Sequence, residues 1–484
     1  MSENRKNTNS SQDSGMPSAD KKSSRLSGVI FFLLCAILVF SVVTFGAVDV
    51  WALGASSLIA GLIVACWLAD AWLGKEFRFN PTALQIPLLG LILIGIIQLL
   101  PFRQADISND LLSISAVGSL SLAPSSTRFA INQLIVYIVF FAAALTFINN
   151  QNRLRKIVLT IIIFGSIMAF YGILQHLANL EAIYGLRLPN QAVPFASFVN
   201  RHHFAAFMEM TIGVTLALLF GKATKENKRI FLMIAVVIMG IALVLTSSRG
   251  GMLSFLGVVT FVVAANLLRK PTSEIDSPIA EGKSYLRNFA FIGGGLALIL
   301  VLFGTVLLLG GDDSLLRGIG LQNPEDDVSN GRLHFWHIAL RIFLDYPILG
   351  AGLDSFAIAF TRYDSWNGMY RVEQAHNDYL QILADAGILG FACIATFIFL
   401  LFKKGLQTAG ASSDNFRRGA AKGALAGCFG ILIHSFFDFP LRTPSNAFFF
   451  LTLTVLATVS ISLPKVSRKK RRKKEQYNNL TEET

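Results

Sequence analysis

The feature of this sequence that most constrains its fold is a series of apolar blocks, each close to 20 residues long. A block of about that length crosses the hydrocarbon core of a bilayer as an α-helix. Short polar or basic stretches separate the blocks, as they do in proteins with many membrane spans. The predicted spans are residues 27–48, 51–73, 82–101, 129–148, 157–177, 204–221, 230–247, 252–268, 288–310, 386–402, 420–438 and 446–463.

Composition supports the same conclusion. Of 484 residues, 53% are hydrophobic and only 15% are charged. A water-soluble fold cannot keep that much apolar surface from water, so lipid must be the solvent. The sequence therefore predicts an all-α polytopic membrane protein with about 12 transmembrane helices. The even number of spans puts both termini on one side of the membrane.

The positions of Lys and Arg give the orientation, because cytoplasmic loops carry the excess of them. Both tails are basic, and alternate loops are basic around Lys75, Arg153, Lys222, Arg269 and Lys403. We therefore expect both termini in the cytoplasm and a large helical periplasmic loop over residues 311–385. The predicted organisation is a disordered cytoplasmic tail (1–26), a transmembrane domain (27–463) and a basic cytoplasmic tail (464–484).

Charge and cysteine placement exclude two other classes of protein. The net charge is +12, but most of it follows from topology, and the Arg468–Lys474 run is typical of contact with anionic membrane lipids. We expect no nucleic-acid partner. All four cysteines lie inside predicted spans, which argues against a disulfide framework or a thiolate metal site. They are Cys35, Cys66, Cys393 and Cys428.

Titratable side chains gather at the outer face of the predicted topology. The histidines all fall in outer loops or near outer helix ends, at positions 176, 202, 203, 334, 337, 376 and 434. A membrane enzyme that works at that face would collect such groups there, although structural roles explain single histidines equally well. Arg249 lies between two long apolar runs, and a charge that deep is costly unless it faces a cavity or a partner. It could also be an interfacial anchor.

The outer loop contains a predicted amphipathic helix that Asn330 can cap and Pro347 can end. Its polar side chains recur at offsets of three and four: His334, His337, Arg341 and Asp345. The simplest role of this stripe is solvation at the membrane surface. Arg332, at the helix start, is a better candidate for anion contact. A turn at Gly350-Ala351-Gly352 precedes a second short helix that runs to Phe360.

Several of these segments resemble the O-antigen ligase and polymerase superfamily, the bacterial polyprenyl-diphosphate-glycan transferases, in a GT-C-like form. The specific stretches are Ser248-Arg249-Gly250-Gly251, Gly331-Arg332 with its helix into Asp345-Tyr346-Pro347 and Gly350-Ala351-Gly352, and Ala375–Gln381 with Gly387 and Gly390 downstream. Residues 198–204 and 434–440 also look like family elements. One departure is His202, where Asn is common.

The resemblance implies transfer of a glycan from a polyprenyl diphosphate carrier to an acceptor hydroxyl at the periplasmic face of the bacterial inner membrane. It implies no cofactor, nucleotide sugar or metal. The acceptor would be a lipid A core, a growing glycan or a protein. His376 is the candidate base or acceptor contact, and Arg249 with Arg332 would stabilise the diphosphate, because Arg offers a planar fork of donors. Further candidate substrate contacts are Asn200, Arg201, His203, Asn377 and Tyr379.

Other interpretations remain open at this point. His376 could only cap or orient the helix after it, and Asp438 could simply pair with Arg442. The chain could be a solute transporter, for example of bicarbonate, but inverted repeats and mid-membrane charges are not evident. It could also be a non-catalytic component of a polysaccharide assembly complex. Such a scaffold would tolerate the loss of His376 and Arg249.

Overall fold

The computed structural model describes residues 25–104, 117–189, 192–221, 223–224, 226–267, 331–365 and 372–461. Within these ranges the chain is mostly helical. The helices are α1 (Arg25–Val43), α2 (Val50–Gly74), α3 (Gln85–Gln98), α4 (Pro124–Phe147), α5 (Gln151–Leu177), α6 (Arg201–Phe220), α7 (Glu226–Leu245), α8 (Arg249–Leu267), α9 (Arg332–Asp345), α10 (Phe356–Phe360), α11 (Asp378–Ala411), α12 (Asn415–His434) and α13 (Pro444–Thr458). Strands β1 (Arg103–Gln104) and β2 (Val117–Gly118) form one short antiparallel pair.

The prediction of an all-α polytopic membrane protein is confirmed. Among the described residues, eight helices are long and apolar enough to cross a membrane: α1, α2, α4, α5, α6, α7, α8 and α11. Helices α3 and α13 are apolar but shorter. Helix α12 has suitable length but carries Arg417, Arg418 and Lys422. The predicted span 288–310, residues 311–330 of the predicted loop and nearly all of both predicted tails lie outside the described residues.

Helix boundaries differ from the apolar blocks where polar residues extend a helix. Helix α1 begins at Arg25, inside the predicted tail. Helix α11 begins at Asp378, well before the predicted span at 386, because Asn377 caps it. The Asn377 side-chain oxygen accepts from the backbone N–H of Tyr379 at 3.0 Å and of Leu380 at 3.1 Å. An N-cap of this kind starts a helix regardless of hydrophobicity, so hydropathy alone places the start too late.

The centre of the bundle is α6, which is 89% buried along its span. It packs against α12 along a seam of glycines. A Cβ added at Gly213 would lie 2.7 Å from the backbone nitrogen of Gly427, and one at Gly423 would lie 2.6 Å from Cα of Val214. Small residues let membrane helices approach this closely. By contrast, α2 presents large apolar side chains outward, and Trp72 is 82% exposed, as expected for a surface that lipid covers.

The glycines after α9, at positions 350 and 352, lie where the backbone approaches α11 closely. Helix α11 breaks at Gly387, whose φ is 62°. At the break, the N–H of Ile388 donates to the carbonyl of Pro347 at 2.8 Å, and the N–H of Ala351 donates to the carbonyl of Ala384, also at 2.8 Å. A Cβ at Gly350 would lie 2.3 Å from the nitrogen of Ala386. These contacts fix the first part of α11, just after His376.

Candidate active site

Residues 435–443, the loop between α12 and α13, connect the ends of several helices. The N–H of Asp378 at the start of α11 donates to Ser435 O at 2.9 Å. Thr443 Oγ1 lies 2.6 Å from His203 Nδ1 at the start of α6. Arg332 Nη2, at the start of α9, lies 3.9 Å from Asp438 Oδ2. Helix N-termini carry partial positive charge, which favours an anion at this end of the bundle.

His376 is oriented by a buried carboxylate. Its Nδ1 lies 3.2 Å from Asp438 Oδ1, which also accepts from the N–H of Phe439 at 2.9 Å. Burial would raise the pKa of Asp438, but the hydrogen bond from His376 and the nearby His202 and His203 lower that pKa well below its usual range. Asp438 is therefore a carboxylate that only accepts hydrogen bonds. Nδ1 of His376 must carry the proton, which leaves Nε2 able to accept one.

The imidazole of His376 is held by its backbone and by two rings. Its φ is 51°, a left-handed conformation that is uncommon and strained for such a residue. The ring stacks on Phe335 with centroids 6.0 Å apart and meets Phe439 edge-on at 4.8 Å. The His376 side chain nevertheless stays 31% exposed. It is thus fixed in place and accessible to a ligand.

Arg249 is the first residue of α8 and is exposed, so it lies at the helix end and not within the apolar run. Its role as an anion contact or as an interfacial anchor stays a prediction. Ser248 Oγ accepts from the N–H of Gly251 at 3.2 Å and lies 2.8 Å from His202 Nδ1. The start of α8 is thereby tied to the start of α6.

A cavity of about 1320 Å³ opens beside His376, and Arg249, Arg332 and Asp438 are not among the residues that line it. Its polar wall includes Asn200, His203, His376 and Arg442. Its apolar wall is formed by side chains of α3, α4 and α11, among them Leu91, Phe129, Leu134 and Ile382. A cavity with one charged and one apolar wall suits an amphipathic ligand.

Residues 234–395 match the family model described as O-antigen ligase. This region is similar to that family. The match covers about a third of the chain, includes Arg249, Arg332 and His376, and confirms the resemblance to the O-antigen ligase and polymerase superfamily. Asp438 lies beyond the matched residues. No curated protein matches the chain.

The remaining predicted site residues, inside and outside the matched region, make structural hydrogen bonds. Asn200 caps α6 by accepting from the N–H of His202 at 2.9 Å, much as Asn377 caps α11. The N–H of Arg201 donates to the carbonyl of Val193. Tyr379 donates its hydroxyl to Leu432 O at 2.7 Å. Asn200, His203 and Tyr379 also line the cavity, so their roles in substrate binding stay predictions.

A second charged cluster joins the matched residues 234–395 to the loop between α12 and α13. Arg442 Nη1 lies 2.8 Å from Asp354 Oδ1, and Nη2 pairs with Asp385. Burial would lower the pKa of Arg442, but Asp385, Asp354 and Asp378 raise it above its usual value. The alternative in which Asp438 simply pairs with Arg442 is therefore wrong. The true partners are distant in sequence, so spacing gave no signal for them.

The polar stripe of α9 is not uniformly solvated. His337 is exposed, as expected, but His334 is only 17% exposed and its Nε2 lies 3.2 Å from Asp364 Oδ1. The solvation role predicted for His334 is therefore wrong. Its partner Asp364 lies 30 residues away, in the turn after α10. The helical periodicity of α9 gives no information about a residue outside that helix. Within the described residues, no group of three or more His, Cys, Asp or Glu side chains could hold a metal ion.

Proposed function

We propose that the protein transfers an oligo- or polysaccharide from a polyprenyl diphosphate carrier to an acceptor hydroxyl at the periplasmic face of the bacterial inner membrane. The observation that carries this proposal is His376, which lines the cavity, is oriented by buried Asp438 and lies among helix N-termini that favour an anion. The O-antigen ligase match supports glycan transfer in general.

The proposed reaction needs a base and a stabilised leaving group. Nε2 of His376 takes the proton of the acceptor hydroxyl as that oxygen forms a bond to the anomeric carbon of the donor. The bond from this carbon to the diphosphate oxygen breaks, and the oxygen keeps the electron pair. The carboxylate of Asp438 stabilises the imidazolium that forms, since the two groups already share a hydrogen bond.

Positive charge is required where the diphosphate leaves. Arg249 and Arg332 begin α8 and α9, so a guanidinium and a helix N-terminus act together at each position. Arg binds phosphate oxygens through paired hydrogen bonds. We propose that these groups replace a metal ion. Asn200, Arg201, His203, Asn377 and Tyr379 are the further proposed substrate contacts, and the apolar wall would receive part of the carrier.

The surface polysaccharide of a deletion strain tests the function. Loss of the lipid-linked ladder with free polymer retained identifies a ligase with a lipid A core acceptor. Single repeat units identify a polymerase, and loss of glycan from a secreted protein identifies a protein acceptor. An unchanged profile in all three respects would contradict glycan transfer and favour a transporter or a scaffold.

Topology can be tested independently with a reporter that is active only outside the cytoplasm. Fusions near Asn330 or Asp364 should be active, and a fusion after Lys474 should be silent, because basic residues mark the cytoplasmic loops. Silence at both outer positions would put the site on the cytoplasmic side and overturn the periplasmic reaction.

Metal independence has its own experiment. Purified protein supplied with a polyprenyl diphosphate donor should transfer glycan in the presence of EDTA, since arginines and helix N-termini supply the positive charge. Loss of activity that a divalent ion restores would contradict this part of the proposal.

A further inference from the structure

The carboxylate of Glu209 and the imidazole of His434 form a buried pair between α6 and α12. Glu209 Oε1 of α6 lies 2.8 Å from His434 Nδ1 at the end of α12. The Glu209 side chain is 0% exposed and that of His434 is 1% exposed. Glu209 Oε2 has no hydrogen-bond partner among the described residues. Burying such groups costs several kcal/mol per ion, so this pair is an expensive feature that core packing alone does not require.

The glycine seam places the two side chains next to each other. A Cβ at Gly427 would lie 2.7 Å from the carbonyl of Met210, and one at Gly430 would lie 3.7 Å from Cβ of Glu209. The backbones of α6 and α12 therefore approach closely next to Glu209. The helix packing fixes the separation of the pair.

His434 supports both halves of the proposed site. A Cβ at Gly250 would lie 3.2 Å from His434 Nε2, so the start of α8 packs directly on the imidazole. The His434 carbonyl accepts from the N–H of Phe437 at 2.8 Å and from that of Asp438 at 3.1 Å. One residue thus contacts the helix end that carries Arg249 and begins the turn that carries Asp438.

We infer that Glu209 and His434 are positioning residues for the transfer reaction, an inference that rests on the proposed function. Glu209 and the imidazole share a hydrogen bond, which fixes the rotamer of His434. The imidazole in turn sets the position of Arg249 relative to Asp438 and His376. Reactions of this kind are sensitive to placement, because a shift of about 1 Å can cost about 100-fold in rate.

The test is Glu209→Gln in the full-length protein, assayed with a polyprenyl diphosphate glycan donor. We expect kcat to fall by roughly 10- to 100-fold, while KM for the donor and the thermal unfolding temperature change little. Thr215→Val is the matched control. Thr215 is buried on the same helix, and its hydroxyl donates to Thr211 O of that helix at 2.9 Å, so the control should keep its kcat.

A double variant separates positioning from general destabilisation. If Glu209 acts through the placement of Arg249, Glu209→Gln should cost less in an Arg249→Lys background than alone. Independent, multiplicative losses, or a fall in activity that follows a fall in unfolding temperature, would overturn the inference. Full activity of Glu209→Gln beside inactive His376→Ala would also overturn it and leave the proposed function intact. Full activity of His376→Ala and Arg249→Ala would instead reject the proposed function.

Discussion

Two charged clusters meet at the cavity with opposite arrangements of charge, and each contributes some of its members to the lining. In the Asp438 cluster, one carboxylate is surrounded by basic groups: His376, His202, His203 and Arg332. In the Arg442 cluster, one guanidinium is surrounded by three carboxylates: Asp354, Asp378 and Asp385. Both clusters are centred on the loop between α12 and α13. The loop therefore carries the central residue of each cluster.

The difference shows which cluster has capacity left for a ligand. The guanidinium of Arg442 is already paired with two carboxylates and ties the loop to α11 and to the turn at Asp354. In the Asp438 cluster, His376 keeps one ring nitrogen for the cavity. We therefore assign the chemistry to the Asp438 cluster and the rigidity of the cavity to the Arg442 cluster.

The largest expected effect is on His376. His376→Ala should lower the transfer rate by about 100- to 10,000-fold, the usual contribution of a general base. Transfer to the acceptor is measured at matched expression in the membrane. His337→Ala is the control, because His337 is an exposed residue of α9 and its loss should leave the rate unchanged. Normal transfer by His376→Ala would remove the Asp438 cluster from the chemistry.

Arg249 comes next. Arg249→Ala should cost on the order of 100- to 1000-fold, because a donor aimed at developing charge is lost. Arg249→Lys keeps the charge but loses the paired hydrogen bonds, so it should remain impaired in the same assay. Because Arg249 is exposed at the start of α8, neither change should lower the unfolding temperature. If Lys fully replaced Arg, the diphosphate would need only a point charge there.

The two cluster centres should respond in opposite ways. Asp438→Asn should lower the rate by about 10- to 100-fold with little loss of stability. In metal sites, removing the carboxylate that orients a ligand imidazole has an effect of this size. Arg442→Met should destabilise the fold by about 3 kcal/mol, because it leaves buried carboxylates unpaired, with a smaller loss of rate per folded molecule. Activity and thermal unfolding are measured on both purified variants. The reverse pattern would exchange the roles assigned to the clusters.

His334 should have the smallest effect on transfer. It pairs with Asp364 and contacts Phe360 away from the Asp438 cluster. His334→Ala should reduce the rate only a few-fold, since the change loosens α9 and with it the position of Arg332. Asp364→Asn, which weakens the same pair, should match it. A loss as large as that of His376→Ala would show that His334 takes part in the chemistry.

The sequence predicted elements best where one local rule applies. Apolar length located the described membrane helices, and basic loops gave an orientation that the reporter fusions can test. Helix ends were missed where an Asn cap extends a helix beyond its apolar block, as at Asn377. Histidine placement and family motifs identified His376 and Arg332, which the structure brings to the Asp438 cluster. The partner of His376 lies 62 residues away and depends on tertiary packing, as do both partners of Arg442.

The position of Asp438 has a consequence for biogenesis. It lies between the last two described helices, whereas His376 precedes both of them. Asp438 is synthesised after His376, so a chain that stops before α12 lacks the carboxylate that hydrogen-bonds the histidine. Under the proposed function such a chain should be inactive, and co-expression of two fragments divided at residues 412–414 should restore activity if they assemble.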